Sequence, residues 1–361
     1  MNESLIEKIR ENIKEKELDA IVITELYKIL FLLGIESSFN IFELCLCLII
    51  TKEEILLIGD PFSLSLIKIP PIIKIREINV KNIEIISFLN DLEELLLEKK
   101  LNKIGSFEEI RLPKYKVKKL PDIFDEKFII PDERRISILK ENALICKKVL
   151  QDSLKELKTG ISEISLRNII DEKIYQFGGE RRAFPTKVIF GENTSNPFGL
   201  SNGKKLKEGD LIFINFGIIR SGVGIELART YLWGGENKFL KKVYNEITEI
   251  YEKFLSFISY GKISREIYNY AWKLVKEKNY EKNFFPPLNA PLTLIGKRLK
   301  ISNTSNFLIK EGTLLYPQMS FYFPGKFGIK FQDVLLLESG KHVLLTNFLN
   351  KGDEVCFSFG Q

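Results

Sequence analysis

LIFINFGIIRSGVGIELART, residues 211–230, reads as a strand, a turn and a second strand. A hairpin of this kind presents side chains from both arms to one face, and its arms place Asn215 and Glu226 where metal-binding acids would stand. An amide is a poor start for such a site. The hairpin therefore poses one question: did the chain keep a metal site, lose one, or never hold one?

The flanks settle the fold class. Helical periodicity runs over residues 133–157 and 163–177, with Thr159-Gly160 as the stop between them. Strand character follows at 187–190, 211–217 and 225–232. Helical patterns return near 236–257 and 263–278, and strand-rich segments occupy 313–323, 329–337 and 353–358. Helices and antiparallel strands in separate blocks predict an α+β domain. Ahead of this half, Leu5, Ile6, Ile9 and Ile13 make the opening helix amphipathic. DAIVIT then reads as a strand, ELCLCLIITKEEILLIGD as strand, turn, strand, and residues 85–100 as a helix. This predicts an α/β unit over 1–125 and a second domain over 126–361. The stretch RLPKYKVKKLPDIFDEKFIIPDE, residues 111–133, is expected to be the linker.

Composition narrows the function classes. At 45% hydrophobic and 28% charged the chain is an ordinary globular protein. A net charge of +6, spread over short groups such as Lys118-Lys119 and Lys204-Lys205, is a solvated surface and argues against nucleic acid. Cys45, Cys47, Cys146 and Cys356 form no CxxC pair, so a structural zinc is not expected. The charged N-terminus has no apolar leader segment and no apolar run approaches a membrane span, so a cytoplasmic protein is expected. GxGxxG and GxxxxGK[ST] are both absent, which removes support for nucleotide cofactors.

AFPTKVIFGENTSNPFGLSNGKKLKEGDLIFINFG, PDERRISILKENALICKKVL and YPQMSFYFPGKFGIKFQD together resemble the pita-bread family of creatinase, aminopeptidase P, prolidase and methionine aminopeptidase. The resemblance implies a creatinase-type N-terminal α/β domain followed by a C-terminal pita-bread domain. It also implies a site in which two Asp, two Glu and one His hold two divalent Mn, Co or Zn ions. Asn215 and Glu226 keep the eleven-residue spacing of the Asp pair, followed by Arg229-Thr230. Gln318 and Gln332 keep the fourteen-residue spacing of the Glu pair, with Asp333 after it. The ligand histidine would fall within PPLNAPLTLIGK, where Asn289 is the positional match. A second histidine, which helps handle substrate in the family, corresponds to Phe198. The chain's single histidine, His342, lies outside these motifs and reads as an exposed turn residue.

Four cationic charges in a partly desolvated pocket need matching carboxylates, and here only Glu226 can supply one. Two catalytic ions, and the low-pKa water that they would generate, are not expected. Creatinase works on this fold without metal, but through a histidine that Phe198 cannot replace. The four positions are instead expected to hydrogen-bond one another in a closed network. Arg229, an odd number of residues from Glu226, should face the other side of the sheet. The resemblance thus implies a homologue of Xaa-Pro peptidases without its dinuclear site, a homodimer that binds a peptide or small amide or regulates a partner. An active Xaa-Pro dipeptidase with a non-standard site and a structural subunit of an active paralogue are the alternatives.

Overall fold

The computed structural model describes residues 1–35, 45–78, 85–124, 129–235, 237–289 and 299–346. The chain divides into two compact units, Met1–Phe124 and Asp125–Gln361.

In the first unit, DAIVIT supplies the strand Ala20–Ile23 and the following apolar run supplies the antiparallel pair Leu46–Thr51 and Ile55–Gly59. These strands are buried almost throughout, because helices cover the sheet. The opening helix Glu3–Glu15 buries Leu5, Ile6, Ile9 and Ile13, as its periodicity predicts. Leu92 and Leu96 of the helix Ile85–Glu98 pack with Ala20, Val22 and Ile49. The expected linker is only partly one. Lys118–Lys119 adds a strand to this six-stranded sheet, and Leu120 and Phe124 are buried, so its first part belongs to the unit. Apolar side chains at Leu112, Leu120 and Phe124 anchor a stretch whose prolines and lysines suggested exposure. Cys47 is fully buried, and burial raises its thiol well above the ordinary range; Cys356 lies outside the described residues.

The second unit is built on one antiparallel sheet that includes β1 (Lys187–Phe190), β2 (Leu211–Arg220), β3 (Val223–Leu232), β4 (Gln318–Phe323) and β5 (Phe327–Gln332). Across the sheet the order is β4-β5-β3-β2, with β1 also on β2. The opening hairpin is β2 and β3. Ser221 and Gly222 close it with φ of 50° and 69°, the two-residue turn that matches strand twist. Helices α1 (Glu133–Leu154), α2 (Glu163–Gln176), α3 (Lys238–Phe257) and α4 (Ser264–Glu277) cover one face. Leu139, Leu150, Ile170 and Ile174 of α1 and α2 meet Ile212, Ile214 and Phe216 of β2 and Ile225 and Leu227 of β3. Ile247, Phe254, Ile267 and Ala271 of α3 and α4 meet Met319, Phe321, Ile329 and Phe331. Each such Leu, Ile, Phe or Met side chain contributes about 1.5–3 kcal/mol when fully buried. His342 sits not in a turn but on the short strand Lys341–Leu344, paired with Leu337, and is exposed. The expected strand at 353–358 lies outside the described residues.

Between these two cores runs a buried polar link. Arg229 of β3 donates to Asp333 Oδ1 at 2.5 Å, to the Gln332 carbonyl at 2.6 Å and to the Thr346 carbonyl at 2.8 Å. Asp333 also accepts from Thr346 Oγ1 at 2.7 Å, and the Tyr251 hydroxyl of α3 lies 2.9 Å from its second oxygen. Burial, then the Asp333 charge, holds the Tyr251 phenol well above its usual range, so it stays a donor. Arg229 faces the helices, as strand alternation requires. Removing one partner of a buried ion pair strands the other charge. Asp333→Ala should therefore lower unfolding free energy by about 3–5 kcal/mol, measured by urea denaturation; a loss under about 1 kcal/mol would refute that role.

Candidate functional site: a polar line across the sheet

Register brings the sequence-predicted positions together. Lys187 faces Asn215 across β1 and β2, and Asn215 faces Ala228 across β2 and β3. Ala228 faces Gln332 across β3 and β5, and Gln332 faces Gln318 across β5 and β4. Directly opposed residues share a face, so Lys187, Asn215, Ala228, Gln332 and Gln318 form one line across five strands. This face is opposite the helices. Glu226, two residues before Ala228 on β3, joins the same face. Its cross-strand neighbour is Gly217, where an added Cβ would sit 2.9 Å from the Glu226 Cβ. Glycine there leaves room for the glutamate.

The four amide and acid positions do not close a network. Gln318 donates its side-chain amide to the Pro287 carbonyl at 3.0 Å. Among the described residues Asn215 Oδ1 and Gln332 Nε2 have no hydrogen-bond partner, and Gln332 is only 1% exposed. The expectation of mutual pairing fails because the four residues lie along the sheet rather than around a ring, and Gln318 is diverted to the neighbouring 283–289 segment. Asn289 is likewise committed to the backbone. It donates to the Leu299 carbonyl at 2.7 Å and accepts from Tyr316 N–H at 2.6 Å. Its side chain pins the strand edge instead of turning toward Gln332. Residues 290–297, the rest of the segment where a ligand histidine would fall, lie outside the described residues.

Two lysines that the motif spacing did not single out occupy the same face. Lys330 is two residues before Gln332 on β5, and Lys187 starts the line. Burial pushes the Lys330 ammonium down to about 8, with Glu226 opposing the shift and Lys187 adding to it. Burial also lowers Lys187. Strand alternation from Gln332 to Lys330 was the signal that could have found the first of them. Lys187, at the mouth of an apolar strand, gave none.

An aromatic rim borders the line. Phe285 donates its backbone N–H to Ser320 on β4, and its neighbour Phe284 pairs with Phe321 on the helix side. Phe285 thus belongs to the polar side. The Phe198 ring lies edge-on to it at 6.2 Å between centroids, and Tyr322 meets it at 5.7 Å. Phe198 is 76% exposed.

These donors do not fit two divalent cations. Among the described residues of this face, one carboxylate and two lysines stand with neutral amides. Hard cations take amide oxygens as supplements to carboxylates, while adjacent ammonium charges repel them. Among the described residues no group of three or more His, Cys, Asp or Glu is arranged to hold a metal.

Comparison with known proteins agrees with the fold. The sequence profile of metallopeptidase family M24 matches residues 137–339, more than half of the chain. A Staphylococcus aureus peptidase is 26% identical over 220 residues, which are 61% of this chain and 63% of that protein. The chain thus matches somewhat under two thirds of that relative's length. The Xaa-Pro dipeptidase of Pyrococcus furiosus is 24% identical over 274 residues, 75% of this chain and 77% of that protein. The structure of a Xaa-Pro dipeptidase from Bacillus anthracis superposes with a TM-score of 0.82 at 19% identity, covering 96% of this chain and 98% of that one. The two-domain prolidase fold expected from the sequence is therefore present. No described helix is long and apolar enough to cross a membrane.

The lysine on β5 carries a testable cost. Between pH 8 and 10.5 the unfolded chain holds a proton on Lys330 that the folded chain releases, so stability rises with pH across that window. Below pH 8 the penalty is complete. Lys330→Met should stabilise the fold at pH 7 by about 1–3 kcal/mol, and the gain should shrink by pH 10. Denaturation at both pH values checks this; an equal effect at each would show a fully solvated ammonium.

Proposed function

This chain belongs to metallopeptidase family M24, and from that premise we propose that it is a non-catalytic member which acts by binding through the polar face of its second unit. One observation carries the reading: the polar face of the sheet offers Asn215, Glu226, Gln318 and Gln332 where the resemblance to the family implies four acids, with two lysines on the same face. Hydrolysis in such a site depends on metal-activated water, and a face with one carboxylate and two lysines is a poor holder of the ions that would activate it. General acid–base chemistry needs a second partner beside Glu226, and Phe198 stands where a histidine would assist. Amide-for-acid exchange keeps side-chain shape while deleting charge, which preserves the sheet and changes what it can hold.

A ligand of peptide or small-amide type fits neutral hydrogen-bonding groups of this kind. A homodimer in the cytoplasm completes the reading, drawn from the resemblance to two-domain members of the family.

Elemental analysis after dialysis against micromolar Mn, Co and Zn should find less than one tightly bound ion per chain, and Xaa-Pro dipeptides should stay intact with or without added metal. Two ions per chain, or metal-dependent release of proline, would overturn the proposal. The fourfold variant Asn215→Asp, Glu226→Asp, Gln318→Glu, Gln332→Glu should bind more metal yet remain short of full turnover. Full turnover would show that the histidine positions are dispensable.

A further inference from the structure

We propose that Lys330 is an amine nucleophile that captures an apolar aldehyde at the polar face as a Schiff base, with Tyr322 as the proton donor. This rests on the binding reading above and gives that face a ligand class.

Register sets the two groups side by side. Lys330 on β5 stands opposite Ser320 on β4. The Lys330 backbone is spent on the β3 side: its N–H donates to Thr230 Oγ1 and its carbonyl accepts from the same hydroxyl, each at 3.0 Å. The Ser320 carbonyl turns the other way and accepts from the Phe285 N–H at 2.8 Å. Lys330 and Ser320 are therefore a non-hydrogen-bonded pair, the kind whose side chains come closest. Tyr322, next along the same face of β4, stands opposite Gly328, two residues before Lys330. A Cβ added to Gly328 would lie 2.6 Å from the Tyr322 ring. Glycine there lets the ring lean from β4 onto the strand that carries Lys330.

Protonation suits the roles. Among the described residues the Lys330 ammonium has no hydrogen bond or ion pair, and its charged neighbours are Glu226 on β3 and Lys187 on β1. With its value near 8, it is a free amine at pH 7.5 on the order of 100 times more often than an ordinary lysine. A desolvated lysine is a good nucleophile toward carbonyl carbon. Burial pushes the Tyr322 phenol up to about 12, with a hydrogen bond from Ser320 opposing the shift, so the phenol keeps its proton. In the first step Lys330 Nζ attacks the aldehyde carbon, and the carbonyl oxygen takes the proton that the nitrogen sheds. Tyr322 then protonates this hydroxyl, the C–O bond breaks, water leaves and the C=N bond forms. The iminium nitrogen returns a proton to the phenolate.

The rim decides the substituent. Phe285 meets Tyr322 edge-on at 5.7 Å and Phe198 meets Phe285 at 6.2 Å, with Phe198 and Phe285 76% and 42% exposed. Exposed rings beside the nucleophile suit an apolar or aromatic group on the aldehyde.

Treating the full chain with 3-phenylpropanal at pH 7.5, trapping with sodium cyanoborohydride and mapping the adducts by peptide mass spectrometry tests this. Lys330 should label at least about 10-fold faster than the exposed Lys205, and the difference should vanish in concentrated urea. Propanal, which lacks the ring, should label Lys330 at least about 3-fold more slowly. Tyr322→Phe keeps the ring without its proton and should slow labelling by about 10-fold or more. Circular dichroism confirms the variant's fold, and if it does not fold, the native-to-urea comparison on the parent chain decides. Lys330 labelled no faster than Lys205, selectivity that survives urea, equal rates for the two aldehydes, or a folded Tyr322→Phe that labels like the parent would overturn the assignment. Metal content and Xaa-Pro hydrolysis are measured on the same preparation. Metal-free, inactive protein without selective labelling sinks this inference alone, whereas metal-loaded, hydrolytic protein sinks the non-catalytic reading as well.

Discussion

The buried pair of Arg229 and Asp333 is the constraint on which the second unit turns. It stands where the core under α1 and α2 meets the core under α3 and α4, and it also ties in Thr346 and Tyr251. A charge pair out of water tolerates little displacement, because each lost contact leaves a desolvated group unsatisfied. Arg229 also donates to the Gln332 carbonyl, so the pair holds β3 against β5. Their register, Ala228 opposite Gln332, is what sets every polar residue of the opposite face in line. A slip of one residue would turn Gln332 toward the helices and Asp333 toward the polar face. The same guanidinium that stabilises the fold thereby positions the site without entering it.

On the polar face, among the described residues, amides at Asn215, Gln318 and Gln332 stand with one carboxylate, Glu226, and two lysines. Amides at Asn215, Gln318 and Gln332 fit where acids would, so the strands need no adjustment. Desolvation weighs on Lys330, whose ammonium is held near 8 even with Glu226 nearby. The fold itself is neutral on the question, since one scaffold can carry many sites.

Sequence by itself determined the α+β class, the two-unit division of labour between the halves, and the hairpin with Asn215 and Glu226 on its arms. Those features are local: period-two and period-3.6 patterns, turn residues and motif spacings are all read within a few positions along the chain. Spacing was also enough to place Gln318 and Gln332 on the same side, since both arms of a hairpin alternate in step. What tertiary structure alone decided was which partners those side chains find. Gln318 turns to the Pro287 carbonyl and Asn289 to the Leu299 carbonyl and Tyr316 N–H, so neither joins the closed network that their chemistry allowed. Lys187 becomes part of the site only because β1 lies beside β2, a pairing between strands more than twenty residues apart. Leu120 and Phe124 were equally illegible, because whether an apolar residue in a lysine-rich stretch is buried depends on a core that other segments build. Hydrogen-bond partners and burial are properties of distant chain brought close, and no spacing along the sequence encodes them.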